Sequence, residues 1–213
     1  MSNFSPSGAP PFAHGRYGAG MTARATVRAL DTAEVLRRAD ELADVYQRAF
    51  GCSAARRDHF RDTRLAYLPL YDGAVTLAAF EGETVVGFVY GFDYQPDHWW
   101  PRLVGPALAE AGHASWTHDA FELNELEVLP EHQGRGHGTA LLRALLERLP
   151  HRHTLLSTTA DPADRAKVLY RRLGFVDLVP GFRYPGVAEP ANLMGHRRVT
   201  PAPSGQDGQR VQT

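Results

Sequence analysis

A mixed α/β domain, with helices packed on a sheet, is the fold class that this sequence predicts. Three observations predict it. Segments of strand-like alternation and segments of helix-like three-to-four spacing take turns along the chain. A glycine-rich turn joins one of the strands directly to a helix. Of the 213 residues, 43% are hydrophobic and 22% charged, which supplies an ordinary core and excludes collagen-like, coiled-coil and wholly disordered chains. One core is the expected number at this length.

The first strand is expected over residues 25–30 (ATVRAL). Asp31 and Glu34 then resemble a capping box, and Val35, Ala39, Leu42, Tyr46 and Ala49 recur every three or four residues, predicting a helix that Gly51 ends. A second, partly irregular helix is expected over 54–67. Residues 74–80 and 84–94 are rich in Val, Phe and Tyr and flank Glu81-Gly82-Glu83, a hairpin signal. Residues 95–120 carry prolines, glycines, histidines and three tryptophans without a clear period, predicting a connection or short helix over a site. Residues 121–129 (FELNELEVL) alternate as a strand that Pro130 ends. The next helix runs from about Gly138 to Leu149, with Leu141, Leu142, Leu145, Leu146 and Leu149 forming one apolar stripe. Residues 154–159 are a short strand, and Asp161-Pro162 signals a helix that runs to Leu173 and stops at Gly174. The last strands are expected over 175–178 and 193–198. Residues 1–22 read as a flexible leader and 200–213 as a flexible tail, because their Pro, Gly and Ser bury too little surface to offset ordering entropy. Residues 23–199 are the expected domain.

The charges nearly cancel, 23 Lys and Arg against 24 Asp and Glu for a net charge of -1. Neutralising phosphates on nucleic acid or an anionic membrane needs a basic surplus, so neither is an expected partner. Cys52 is the only cysteine, which excludes an internal disulfide framework and a cysteine-based zinc site and suits a reducing compartment. No run of about 18 apolar residues is present, and the N-terminus has no signal-peptide pattern. A cytoplasmic location is the expectation.

The chemistry centres on Gln133-Gly134-Arg135-Gly136-His137-Gly138, between a strand and a helix. Glycines let the backbone curl until several N–H groups converge, and the helix N-terminus adds partial positive charge, which together make a phosphate cradle. A merely tight turn is the rival reading of an isolated glycine-rich loop. No Lys-Ser or Lys-Thr follows the last glycine, as a triphosphatase loop requires, and no acidic strand end follows about 20 residues on, as a dinucleotide fold requires.

In this segment the chain resembles the GNAT superfamily of N-acetyltransferases. Gln133, Gly136 and Gly138 match the family's pyrophosphate loop. Upstream, residues 125–131 (ELEVLPE) look like its fourth strand and following turn, and downstream, residues 166–175 (AKVLYRRLGF) look like its late helix. The resemblance implies a largely antiparallel, V-splayed sheet flanked by helices, and acetyl-CoA as donor. It implies that Gln133, Gly134, Arg135, Gly136, His137, Gly138 and Thr139 hold the pyrophosphate, while backbone groups of Leu126 and Val128 pair with the pantetheine arm. It also implies Tyr170 as the acid that protonates the departing thiolate. A phenol suits that task because it keeps its proton at neutral pH. The family commonly has Asn seven residues before this tyrosine; Ala163 stands there, so Asp161 or Thr159 would have to supply that contact.

An amine acceptor is an ammonium ion at neutral pH and must lose a proton before attack. Glu125 and Glu127, two apart on one strand, share a face, although a bulge expected in this strand bears on the facing. Glu125 is the first choice of base and Glu127 the second, with His118 and His137 behind them. Asp97, Trp99, Trp100 and Trp116 offer an acidic and aromatic lining suited to a cationic amine, or else the tryptophans close the core. His132, His137, His151 and His153 lack metal-ligand spacing, so no metal is expected. The expected activity is therefore acetyl transfer from acetyl-CoA to a primary amine, on a small molecule or a protein, by direct attack in a ternary complex. The alternative is a non-catalytic acyl-CoA sensor. A homodimer is compatible with either.

Overall fold

The computed structural model describes residues 25–198. The expectations for a leader and a tail lie outside the described residues. Strand β1 (Thr26–Leu30) is followed by helices α1 (Thr32–Arg37), α2 (Ala39–Phe50) and α3 (Ala54–Phe60). The hairpin β2 (Val75–Glu81) and β3 (Thr84–Asp93) leads to α4 (Trp99–Glu110), then β4 (Ala120–Val128) and α5 (His137–Arg148). Strand β5 (His153–Thr159), helix α6 (Arg165–Arg172) and strands β6 (Val176–Phe182) and β7 (Ala191–Arg197) complete the domain. The seven strands form one sheet in the order β1-β2-β3-β4-β5-β7-β6. Every neighbouring pair is antiparallel except β4 and β5.

That parallel pair sets the shape of the sheet. β4 meets β5 only where Ala120, Phe121 and Glu122 lie opposite His153, Thr154 and Leu155. Beyond Glu122 the strands part, β4 staying on β3 and β5 staying on β7. The expected V-splayed sheet is observed. Helices cover both faces. Phe60 of α3 packs on Phe88 and Tyr90 of β3, with ring centroids 6.1 and 6.3 Å away. On the other face Leu141 of α5 reaches the backbone at Gly87. A smaller apolar cluster, with Tyr94, Val104, Leu108, Leu155, Leu178 and Leu193, sits under α4.

Four elements differ from the sequence reading. The first helix breaks at Arg38, whose backbone leaves helical geometry (φ -102°, ψ 13°), so two helices bend around the sheet. Residues 95–120 contain a full helix of 12 residues: Pro101 falls in its first turn, where a missing N–H costs nothing, and Pro106 is tolerated within it. Helix α6 starts three residues late, because the Asp161 carboxylate accepts from Ala163 N at 2.9 Å and closes a turn, while Asp164 caps the helix through Ala166 N at 2.8 Å. Strand β6 extends through Pro180 and Gly181, which an edge position permits.

Candidate active site

The glycine-rich loop has the conformation that a phosphate cradle needs. Gly134 and Gly136 have φ of 76° and 90°, and Gly136 caps α5 without any side-chain hydrogen bond. The first bond of that turn runs from Ala140 N to Gly136 O, at 2.9 Å. The N–H groups of His137, Gly138 and Thr139 therefore point out of the helix with no acceptor in it. Space above Gly136 is open, so an anion can approach, and an added methyl at Gly138 would come within 3.3 Å of Leu169. That second glycine lets α5 lie close to α6. The Arg165 guanidinium flanks the loop, 3.4 Å from where a side chain on Gly134 would begin.

Hydrogen bonds tie the loop down at both ends. Gln133 Nε2 donates to Val128 O at 3.0 Å, joining loop to β4. Glu81, at the end of β2, has one carboxylate oxygen 3.0 Å from His132 Nδ1 and 3.1 Å from His137 Nε2. Arg135 lies 3.6 Å from the same oxygen. The hydrogen bond with His132 is the largest influence holding Glu81 below the ordinary carboxylate range. The side chain of His137 is thus an anchor facing away from the cradle, and its backbone is what faces it. The three ligand atoms of Glu81, His132 and His137 lie within 4.8 Å of one another, near enough to share a metal ion, although Arg135 adds a competing positive charge.

The expected bulge in β4 lies at Asn124. Leu123 pairs with Gly91 and Glu125 with Tyr90, which leaves Asn124 as the extra residue. Side-chain parity flips there. Leu126 and Val128 pack on the core, as the alternation predicts, and Glu122 joins Glu125 and Glu127 on the face of Phe88 and Tyr90. Glu125 and Glu127 are in hydrogen-bond contact, and burial raises both. Burial pushes Glu125 up to about 7, opposed by Arg64 and Arg56. Glu127 lies well above its ordinary range, through burial and then the neighbouring Glu125 charge. Glu122 is 5% exposed and pushed up to about 8 by burial, with Asn124 bonded to one carboxyl oxygen at 2.8 Å and no partner on the other.

A cavity of about 370 Å³ opens beside these acids. Glu122 and Glu125 form one wall, Arg56, Phe60 and Arg64 of the α3 segment a second, and Trp99, Trp100 and Tyr184 a third. Trp100 Nε1 donates to Tyr184 Oη at 2.7 Å and the Trp99 ring stacks on Tyr184, so α4 is fixed against the segment after β6. Asp97 stands on an exposed turn outside this lining. Trp116 is also outside it, packed against Gly195 under the Arg197 guanidinium. Tyr170 is buried in α6; burial raises its pKa above the ordinary range, and the Glu127 and Glu125 charges add to that.

The sequence pattern that accompanies this geometry matches the model of the acetyltransferase (GNAT) family over residues 39–175. The chain belongs to the GNAT family of acetyltransferases. A relative of this GNAT protein, the GCN5-like protein acetyltransferase Rv2170 of Mycobacterium tuberculosis (strain ATCC 25618 / H37Rv), is 38% identical over 118 residues. That match covers 52% of this chain and 57% of the relative, so the chain spans little more than half of the relative's length. Among solved structures, the Escherichia coli ribosomal-protein-S18-alanine N-acetyltransferase superposes with a TM-score of 0.56 at 17% identity, over 89% of this chain and 99% of its own. Salmonella typhimurium YncA, solved with its cofactor acetyl-CoA, gives 0.56 at 20% identity over 85% and 98%. At such identities these likenesses show the fold. No helix among the described residues of the GNAT domain is long and apolar enough to cross a membrane.

Sequence reasoning missed Glu122, Arg56, Arg64 and Arg165. Alternation puts Glu122 on the opposite face from Glu125, and only the bulge reverses that. Arg56, Phe60 and Arg64 are spaced by four, a signal that was legible, but nothing in the spacing says what the face meets. Glu81 joins the loop from 51 residues away.

Proposed function

We propose that the protein is an N-acetyltransferase that passes the acetyl group of acetyl-CoA to a primary amine by direct attack, with both substrates bound at once. One observation carries the reading: the gap between β4 and β5 has unbonded helix N–H groups at one end and an acid-walled aromatic cavity at the other. Acetyl-CoA supplies an acetyl group activated as a thioester. The loop from Gln133 to Gly138 and the amide of Thr139 hold its pyrophosphate, with Arg165 and Arg135 adding positive charge. Backbone groups of Leu126 and the N–H of Val128, whose carbonyl Gln133 already engages, lie on the edge of β4 that β5 has left and offer hydrogen bonds to an extended amide chain and a donor to the thioester carbonyl.

Glu125 lines the cavity and takes the proton that the amine must lose, with Glu127 behind it. The C–N bond then forms and the C–S bond breaks. Tyr170 gives its phenolic proton to the departing sulfur, and the second proton that the nitrogen sheds on becoming an amide returns to the Tyr170 oxygen, directly or through water. The products are an N-acetyl amide and a free thiol. A sensor that only binds acyl-CoA would use the cradle and the free edge but has no need of the carboxyl pair. In a thiol-release assay with acetyl-CoA and a panel of amines, release depends on the amine. Tyr170→Phe keeps the packing and lowers kcat roughly 100-fold, with acetyl-CoA affinity by calorimetry unchanged. Equal turnover removes Tyr170 as the acid. Hydrolysis that ignores every amine favours the sensor.

A further inference from the structure

The arginines of the α3 segment divide into two sets that face different ways. Arg57 is engaged by Asp40, Asp44 and Asp58, and Arg61 by Asp40, Asp58 and Asp62, all on the outer surface. Arg56 and Arg64 face the cavity instead, and neither has a carboxylate partner among the described residues. The Arg56 guanidinium donates to the Tyr46 hydroxyl at 3.1 Å and lies over the Tyr46 and Phe50 rings. After α3 the chain makes one wide turn, closed by Ala66 N on Arg61 O at 3.0 Å. A wider turn lets a spacing of four stay nearly in register, so Arg56, Phe60 and Arg64 share one face. The acids opposite do not neutralise them fully. Burial keeps Glu122 protonated at neutral pH and Glu125 partly so, while a guanidinium never loses its charge.

We propose that the acceptor is a free amino acid, its carboxylate held by Arg56 and Arg64, its amine presented to Glu125, and its side chain laid against the aromatic wall. This rests on the N-acetyl transfer proposed above and names its substrate class. A planar guanidinium is made for a carboxylate, and two that face a small cavity with no ion-paired carboxylate among the described residues can take one from a ligand. The volume is that of a small-molecule pocket. The aromatic wall of Trp99, Trp100 and Tyr184 suits an apolar side chain. A polycationic amine would meet the two fixed positive charges of Arg56 and Arg64.

The test is a thiol-release assay on the full chain with acetyl-CoA. Its acceptors are the common amino acids, each beside its carboxamide, together with phenethylamine, spermidine, O-phosphoethanolamine and a lysine peptide. The expected result is that at least one amino acid exceeds its carboxamide in kcat/KM by roughly 10- to 100-fold, the size of a charge-assisted hydrogen bond. Arg64→Ala then collapses that ratio, mainly through KM, and Arg64→Lys restores part of it. Circular dichroism confirms that the variants fold, and Arg56→Gln gives an independent reading if one does not. A carboxamide, spermidine or lysine peptide that matches the best amino acid overturns the inference and leaves N-acetyl transfer standing. Preference for O-phosphoethanolamine overturns the carboxylate in favour of phosphate. Absence of thiol release with every amine overturns the proposed function itself.

Discussion

Glu125 shows how far a single residue can be understood. Two glutamates two apart on a strand share a face by geometry alone, so their pairing was legible in the sequence. Their chemistry was not, because it comes from burial beside Arg56, Arg64 and each other. The base proposed for Glu125 acts as its carboxylate, so with the residue pushed up to about 7 that form is lost as pH falls through 7 and gained as pH rises. The plot of kcat/KM against pH is expected to climb through about pH 7 and level off above it for that ionisation. Glu125→Gln removes that inflection and lowers kcat roughly 100-fold or more. A mutant that keeps the inflection assigns it to another group. The arginines carry the opposite lesson: Arg56, Arg57, Arg61 and Arg64 look alike in the sequence, and only the packing of α3 turns two outward to aspartates and two inward to the cavity.

Among the elements, β4 contributes most to the site, and its one irregularity decides which side chains serve it. The bulge at Asn124 follows the pairing of Leu123 with Gly91, where the strands come very close. A β-carbon at Gly91 would lie 2.2 Å from Glu122 O and 2.4 Å from Cε1 of Phe121, so neither backbone nor ring can make room cheaply. Gly91→Ala is expected to cost about 3 kcal/mol, read as a lower midpoint in urea with an unchanged slope. A midpoint equal to that of the parent chain removes the close approach as a constraint. Period and caps located β2, β3, β4 and α5 well, since each carries a continuous pattern. They failed at α4, where prolines hide the period, and at the start of α6, where Asp161 and Asp164 are both good caps and only the loop geometry chooses.

For the whole molecule the governing feature is the parting of β4 from β5 after Glu122. It leaves strand backbone exposed inside the sheet, which is costly without a hydrogen-bonding partner. A ligand that pairs with that edge and fills the cradle stabilises the fold as well as reacting on it. At 100 times its dissociation constant, acetyl-CoA adds about 2.7 kcal/mol, which for a domain of this size raises Tm by roughly 5–10 °C. Gly136→Glu places a side chain and a negative charge where φ is 90° and the proposed pyrophosphate would sit, so it is expected to abolish that shift. A retained shift would falsify the cradle assignment.

The chain by itself determined the alternation of helices and strands, the glycine-rich turn ahead of α5 and the family to which these belong, because those properties are local: periods, caps and backbone freedom act over a few residues. Tertiary structure decided where Glu81, Glu122, Arg64 and Arg165 stand relative to the gap. Their positions depend on a bulge, a widened turn and contacts between distant segments, and no short-range pattern records those.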